Sequence, residues 1–275
     1  MKKILVPTDF SKLSEYALEV AANLARNFNA ELFLMHSLDL PMHLATQEQH
    51  EIPEVLFYMK MAQKKFKELK DKPCLKNLKI HETIEDSSTA SAVCEAALKH
   101  QADMIVMGSG GASGIKELII GSNTEKIVRS SQTPVLVVKK QHPSFDINHI
   151  VFACDFSPES YATFIKAGIY AKKFGAKVHY LFVNTPGAFH TTEDITSKMS
   201  AFVEKAKPDN FSLNIYNDTT VERGIMNFSK SIEADLIGIS THGRKGLAHF
   251  FNGSISEDLA NHALRPVLTF KIPTP

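Results

Sequence analysis

The chain of 275 residues repeats itself, and this duplication limits the possible folds more than any other feature of the sequence. The stretch KILVPTDFSKLSEYALEV is similar to HIVFACDFSPESYATFIK, with Asp9 matching Asp155 at an offset of 146 positions. Later, ADMIVMGSGG matches ADLIGISTHG and TPVLVVKK matches RPVLTFKI, both at an offset of 132. A repeat of this length predicts two homologous domains. We place them at residues 1–140 and 147–275, and the second copy is shorter in its middle.

Each copy has the pattern of an α/β domain with a parallel sheet. The short runs MIVM and PVLVV are continuously apolar, which is typical of strands that are buried on both faces. Helical patterns lie between such strands. The first helix of copy one begins at Ser11, and that of copy two at Ser157, with Pro158 in the first helical position. We therefore predict two tandem doubly wound α/β domains, each with helices on both faces of its sheet.

A glycine-rich loop, GSGGASGIKELIIGS at residues 108–122, follows an apolar strand of the first copy. Gly108 and Gly111 can adopt positive φ, which lets main-chain N–H groups face one point. Gly121 and Ser122 open the next helix, whose N-terminus favours an anion such as phosphate. The carboxyl ends of parallel strands are where such sheets bind ligands. The loop therefore predicts a phosphate site, although a plain turn followed by a capping serine has the same composition.

Two common phosphate motifs are absent from the chain. No G-x-x-x-x-G-K-[S/T] occurs, which excludes a P-loop. The loop departs from the dinucleotide fingerprint at Ser113, and it follows a late strand rather than the first strand of the domain.

PTDFS after the first strand, and G-x2-G-x9-G-S after a later one, resemble the universal stress protein family, here with two family domains in tandem. The resemblance implies a five-stranded parallel sheet in each domain, Rossmann-like and of the adenine nucleotide alpha hydrolase-like type. It also implies binding of ATP or AMP, with or without Mg²⁺, in domains that keep the glycine motif. The last strand of family domains commonly pairs across a dimer axis. The resemblance therefore implies a pseudo-twofold monomer or a homodimer formed through that strand.

The resemblance also assigns nucleotide-binding residues to each copy. In the first copy, the residues beside adenine and ribose, followed by those that hold the phosphates, are Pro7, Thr8, Asp9, Ser37, Gly108, Gly111, Gly121, Ser122 and Asn123. In the second copy, a weaker site comprises Asp155, Val183, Ser240, Gly243, Gly253 and Ser254. Ser240 stands in place of the first glycine, and Ala153-Cys154 replace Pro7-Thr8. We expect the working site in the first copy and leave the second open, as a weaker site or a structural partner.

Charge and cysteine content indicate partners and compartment. The 31 basic and 30 acidic residues nearly cancel, so the chain lacks the positive excess that nucleic acid or a membrane surface attracts. The N-terminal apolar stretch stops at Pro7, and no run approaches the ~18 residues of a membrane span. Cys74, Cys94 and Cys154 are odd in number and widely spaced. We expect no disulfide framework and a cytoplasmic location.

His43 and His50, with Glu51 and Glu54 nearby, form the best candidate for a metal site. The seven-residue spacing could place both histidines on one helical face. No HExxH or short His/Cys ligand pattern accompanies them, so a solvated face is the better interpretation.

The sequence predicts a nucleotide-binding stress-response or signalling protein without dedicated catalysis. Two alternatives stay open. One is a slow ATPase on the same scaffold, although the Ser-Gly-Gly-x-Asp-Ser of adenylating relatives is replaced here by PTDFSK. The other is a nucleotide-free interaction module that binds a metal or another small ligand.

Overall fold

The computed structural model describes residues 1–38, 52–85, 90–110, 122–241 and 265–272. The described chain forms two compact units, divided between Phe145 and Asp146. Within each unit, five strands pair in parallel throughout. The predicted fold class, two doubly wound α/β domains in tandem, is confirmed.

The first unit has the strand order β3-β2-β1-β4-β5. Its strands are β1 (Lys3–Pro7), β2 (Glu31–Ser37), β3 (Ile80–Glu85), β4 (Met104–Gly108) and β5 (Val135–Val138). Its helices are α1 (Lys12–Phe28), α2 (Ile52–Lys70), α3 (Ala90–Lys99) and α4 (Ser122–Ser130), with a 3-10 turn at Pro73–Leu75.

The second unit repeats this order as β8-β7-β6-β9-β10. Its strands are β6 (His149–Ala153), β7 (Lys177–Asn184), β8 (Phe211–Asn217), β9 (Leu236–Thr241) and β10 (Val267–Lys271). Its described helices are α5 (Tyr161–Phe174), α6 (Thr192–Ala206) and α7 (Val221–Ser231), with a 3-10 turn at Pro158–Ser160.

The continuously apolar strands form the core of each unit. Every residue of β4 and β5 is buried, as expected for continuously apolar strands that are covered on both faces. The edge strands β3 and β8 differ, because their residues IHETIE and FSLNIYN are mostly half-buried. The apolar runs of the sequence mark the fully buried strands but not these two. Their place is set by parallel pairing with β2 and β7.

The first helix starts differently in the two units. Ser11 caps α1 as predicted, since its hydroxyl accepts a hydrogen bond from Ser14 N at 3.3 Å. In the second unit, Ser157 is followed by the 3-10 turn, and the α-helix begins only at Tyr161. The prediction that α5 begins at Ser157 is therefore wrong by one turn. The Ser157 hydroxyl donates to Asp155 Oδ1 at 2.9 Å and makes no cap.

Candidate functional site

The candidate site of the first unit lies at the carboxyl ends of β1, β2 and β4. Strand β1 lies between the other two and pairs with both. In doubly wound sheets, the crevice for ligands opens at such a point, where the strand order reverses. Pro7, Ser37 and Gly108 end these three strands. The structure thus brings three of the predicted site residues to one edge of the sheet.

The turn after β1 is held by its own side chains. Thr8 Oγ1 and Asp9 Oδ1 accept hydrogen bonds from Phe10 N and Ser11 N, each at 3.0 Å. Phe10 has a φ of 61° and Phe156, its counterpart in the repeat, a φ of 53°. Residues with large side chains rarely adopt this left-handed conformation. Both copies therefore build the same strained turn, and backbone strain of this kind is concentrated at ligand sites.

Asp9 presents one carboxylate oxygen that has no partner in the described part of the chain. Oδ1 holds the turn, whereas Oδ2 is buried and accepts no hydrogen bond from the described residues. A buried acceptor without a donor costs about 1–3 kcal/mol. A ligand hydroxyl or a cation at this point would remove that cost, so Asp9 is suited to a polar ligand contact.

The end of β2 is tied to the same turn. His36 Nδ1 donates to the main-chain oxygen of Thr8 at 2.8 Å, which assigns a proton to that ring nitrogen. The His36 ring also packs on Phe10, with the ring centroids 4.4 Å apart. Ser37 follows, and it is half-buried at the strand end. The turn and the end of β2 therefore form one wall of the candidate site.

Gly108 is needed for close packing. A Cβ atom there would lie 2.8 Å from both the carbonyl carbon and the oxygen of Leu13, and 3.0 Å from Ser14 N. Of the described glycines, only Gly175 has a positive φ. The positive φ anticipated for Gly108 is therefore not observed. Its missing side chain instead lets the first turn of α1 approach the end of β4.

The start of α4 lies against the end of β4. Thr124 Oγ1 donates to the main-chain oxygen of Gly108 at 3.1 Å in a buried contact. Ser122 and Asn123, the first two residues of α4, are exposed. The first turn of the helix, with its free N–H groups, is thereby held next to the strand end. Gly111 and Gly121 lie outside the described residues.

The second unit builds the equivalent turn from different atoms. Cys154 replaces Thr8, and its Sγ accepts a hydrogen bond from Phe156 N at 3.3 Å. Asp155 Oδ1 accepts from Ser157 N at 3.0 Å. Burial raises the pKa of the Cys154 thiol to about 12. The thiol therefore stays protonated, and it acts as a weak hydrogen-bonding group rather than as a nucleophile.

A cavity of about 630 Å³ opens at the carboxyl ends of β6, β7 and β9 in the second unit. This volume suits a small molecule. Its floor is apolar, with Leu181, Ile225 and Ile239 among the lining residues. The polar residues that line it are Asp155, Ser157, Thr185, His190, Lys198, Glu222 and Ser240. Asp155, Val183 and Ser240 of the predicted second site thus meet at this cavity, while Gly243, Gly253 and Ser254 lie outside the described residues.

Ser240 accompanies the altered helix start of the second unit. No Cβ fits at the matching Gly108, because the first turn of α1 is too close. In the second unit, the corresponding segment is the 3-10 turn at Pro158–Ser160. Ser240 and Pro158, the first residue of this turn, both line the cavity.

The residues of the candidate metal site lie outside the described part of the chain. His43, His50 and Glu51 lie beyond the described residues, as does the side chain of Glu54. Within the described ranges, no three His, Cys, Asp or Glu side chains are grouped so that they could hold a metal ion.

Neither a disulfide nor a membrane-spanning helix occurs in the described part of the chain. Cys74, Cys94 and Cys154 are free thiols. None of the described helices combines the length and the apolar character that crossing a bilayer requires.

These features define a doubly wound α/β protein that is built twice, with a candidate ligand site at one edge of the sheet in each unit. A model of the universal stress protein family matches residues 1–139 and 215–271. The matched segments make up well over half of the chain, so the chain belongs to the universal stress protein family.

Single-domain relatives match one half of the chain. Universal stress protein MJ0531 of Methanocaldococcus jannaschii is 33% identical over 141 residues, which cover 50% of this chain and 82% of the relative. Universal stress protein MJ0577 of the same organism is 28% identical over 158 residues, covering 51% of this chain and 96% of the relative.

A solved structure shares the fold over nearly the whole chain. It is a universal stress protein from Archaeoglobus fulgidus with a TM-score of 0.67 and 21% identity. The alignment covers 98% of this chain and 96% of that one. The similarity therefore extends to the tandem arrangement of two domains in one chain.

Three features of the two edges were not found by sequence reasoning. Thr124 shows in sequence only as a polar helical residue, yet it joins α4 to Gly108. Glu222 and Lys198 face the cavity of the second unit from α7 and α6. The repeat alignment could have drawn attention to Glu222, because this residue aligns with Ala90 and adds a charge that the first copy lacks at that position.

Proposed function

We propose that the first unit binds an adenine nucleotide, ATP or AMP, and that the protein acts in stress response or signalling without dedicated catalysis. The observation that carries this proposal is the hydrogen bond from Thr124 to Gly108. It holds the N-terminus of α4 beside the strand end, where free N–H groups and the helix dipole favour phosphate.

Asp9 supports a nucleotide rather than a simple anion. A ribose hydroxyl donated to its buried Oδ2 would satisfy the oxygen that lacks a partner. The distance from the turn after β1 across to α4 would then be spanned by one ligand, with its sugar at one end and its phosphates at the other. Mg²⁺ would enter as a companion of the ATP phosphates.

Membership of the family supports the same ligand. The chain keeps the G-x2-G-x9-G-S motif, with which members of the family bind ATP or AMP, at Gly108, Gly111, Gly121 and Ser122. The three free thiols agree with the cytoplasm, which is the compartment we propose. A homodimer or a pseudo-twofold monomer formed through the last strands stays a prediction from the resemblance, and no protein partner is predicted.

Titration of the nucleotide-stripped, full-length protein with ATP and with AMP tests the proposal. We expect binding, a loss of about tenfold in affinity for Asp9→Asn, and no change for the control variant Asp146→Asn, at an exposed acid that precedes β6 and belongs to neither candidate site. Absence of binding at millimolar ATP would contradict the proposal. Phosphate release well above background in the presence of Mg²⁺ would instead favour the slow ATPase.

The cavity in the second unit favours a second ligand site. It lies at the same edge of the repeated sheet and contains Asp155 and Val183, the counterparts of Asp9 and Ser37. We propose that this cavity takes an adenine-type ligand as well.

A further inference from the structure

One acidic side chain that lines the cavity of the second unit has no partner among the residues that the structure describes. Glu222 lines the cavity from the first turn of α7, and it is half-buried. None of the described residues forms a hydrogen bond or an ion pair with its carboxylate. An ionised carboxylate can only accept hydrogen bonds, so Glu222 presents a free acceptor to the cavity.

The basic neighbour of Glu222 is held elsewhere. The Arg223 side chain approaches Asp218, with Nε 3.6 Å from Oδ1. Asp218 also accepts a hydrogen bond from Asn227 Nδ2 at 2.7 Å, and Arg223 N donates to the Thr220 cap at 3.2 Å. These contacts hold the first turn of α7 and direct Arg223 toward Asp218, which does not line the cavity.

Close packing sets the position of this turn over β7. A Cβ atom on Gly224 would lie 2.4 Å from Val183 Cγ1 and 3.3 Å from Asp218 Cβ. The first turn of α7 is therefore pressed onto the end of β7. Glu222 and Val183 both line the cavity at this point. By the resemblance, Val183 holds the place beside the base of the ligand.

The acidic group belongs to the second copy alone. Glu222 aligns with Ala90, and Val183 aligns with Ser37. The repeated scaffold therefore folds without a carboxylate at this position. Helix α7 is already capped by Thr220, so its start does not depend on Glu222.

We propose that the cavity of the second unit binds a flat heterocycle that carries an amino group, as adenine does, and that Glu222 accepts a hydrogen bond from this amine. The proposal rests on the proposed function for the choice of an adenine-type ligand. Apolar side chains such as Val183 and Ile225 would contact the ring faces. A base with a carbonyl in place of the amine would place its carbonyl oxygen opposite the Glu222 carboxylate. Two acceptors form no hydrogen bond, so such a base would bind weakly.

The other charged groups of the lining come from elements other than α7, so we assign the hydrogen bond from the ligand amine to Glu222. Asp155 comes from the turn after β6, and one of its oxygens holds Ser157. His190 and Lys198 come from the β7–α6 connection and from α6, with the His190 ring 5.8 Å from that of Phe182. Glu222 is the acidic residue that α7 contributes to the cavity lining, which also includes Val183.

Calorimetric titration of the full-length, nucleotide-stripped protein with adenosine and inosine tests the proposal. Inosine has a carbonyl where adenosine has its amino group. We expect the wild type to prefer adenosine by about tenfold or more, the effect of one charged hydrogen bond. Glu222→Ala, the residue of the first copy, should weaken adenosine by about tenfold and remove the preference. Glu222→Gln should bind both alike, because an amide both donates and accepts.

A matched control is available on α6. Glu193 is an exposed acid in the first turn of that helix and does not line the cavity. Glu193→Ala should leave both affinities unchanged. Every variant is also measured with Asp9→Asn, so that binding to the first unit does not mask the second, and thermal unfolding verifies that each variant is folded.

Two results would overturn the inference: no binding of adenosine, or a preference for adenosine that survives in Glu222→Ala. The proposed function of the first unit is judged separately by ATP and Asp9→Asn. If ATP fails to bind while the preference for adenosine depends on Glu222, the inference stands and the proposed function falls. If ATP binds but Glu222→Ala leaves the preference for adenosine unchanged, the proposed function stands and the inference falls.

Discussion

Thr8 and Cys154 hold equivalent turns through an oxygen and a sulfur atom, each accepting a hydrogen bond from the main chain two residues on. At this position, a change of residue leaves the local structure in place. At Gly108, by contrast, the lack of a Cβ atom lets the first turn of α1 approach the end of β4, and Ser240 occupies the matching position in the second unit. Both exchanges, Thr8 to Cys154 and Gly108 to Ser240, look alike in the sequence. Only the packing around each position distinguishes them.

Gly108→Ala should destabilise the first unit by about 2 kcal/mol, because the added methyl group meets the rigid backbone of Leu13 rather than a side chain that can move. Urea unfolding of the full-length protein measures the change. Gly187→Ala is the control, since a Cβ there has no atom within 4 Å. Equal stabilities of the two variants would contradict the assigned packing role of Gly108.

His179 is a buried histidine outside both candidate sites. Its Nδ1 lies 2.9 Å from Ser212 Oγ, and its Nε2 lies 3.1 Å from His149 Nδ1. Burial, with the positive charges of Lys177 and His149 nearby, lowers the pKa of His179 to about 4. Phe33 occupies the same position in the first copy. The imidazole is therefore neutral in the folded protein at pH values where it would be protonated in the unfolded chain.

The second unit should lose stability as the pH falls from about 6.5 to about 4, because the unfolded chain then takes up a proton that folded His179 does not bind. Above this window, the shifted pKa has no effect on stability. His179→Phe should reduce the loss. Chemical unfolding at a series of pH values measures the slope, and an unchanged slope in His179→Phe would refute the assignment.

At the scale of elements, the first helix of each unit shows how one serine takes two roles. Ser11 caps α1 through its hydroxyl, whereas Ser157 donates its hydroxyl to Asp155 and precedes a 3-10 turn. The helix in the second unit consequently starts one turn later, at Tyr161. A capping serine in the sequence thus predicts that a helix starts nearby but not which turn is α-helical.

Ser11→Ala should destabilise the protein by about 1 kcal/mol through loss of the N-cap. Ser157→Ala should have a smaller effect, because it removes only an exposed hydrogen bond to Asp155. Thermal or urea unfolding of the two variants, measured side by side, checks the difference. An equal loss of stability in the two variants would contradict the different roles of the two serines.

At the scale of the whole molecule, the chain uses one architecture twice and varies the ligand edge. The first unit offers Asp9, Gly108 and the start of α4, and the second offers a cavity with Glu222. We expect two ligand sites of unequal chemistry in one polypeptide. Any ligand that binds only the folded state also stabilises it by mass action.

ATP at one hundred times its dissociation constant should stabilise the protein by about 2.7 kcal/mol. The readout is a higher unfolding temperature for the full-length chain, with inorganic phosphate at the same ionic strength as the control. Phosphate lacks the sugar that would satisfy Asp9 Oδ2, so its effect should be smaller. Equal shifts for ATP and phosphate would argue against a nucleotide site.

Much of the fold could be read from local patterns. Continuous apolar runs indicated the fully buried strands, and the repeat indicated that the domain occurs twice. The apolar pattern did not indicate the edge strands β3 and β8, because half-buried strands have a mixed composition. Of the candidate sites, the sequence alone supplied the turn residues and the start of α4, but neither the hydrogen bond from Thr124 nor the cavity around Glu222.

The amino-acid sequence by itself determined that two α/β domains form and that polar and glycine residues follow their strand ends, since apolar periodicity and repeats are properties of neighbouring residues. Tertiary structure alone decided that Gly108 is needed against α1, that Thr124 reaches Gly108, and that Glu222 and Val183 line one cavity, where Glu222 has no partner among the described residues. These contacts join residues far apart in the chain. They depend on the depth at which helices pack on the sheet, which local patterns do not record.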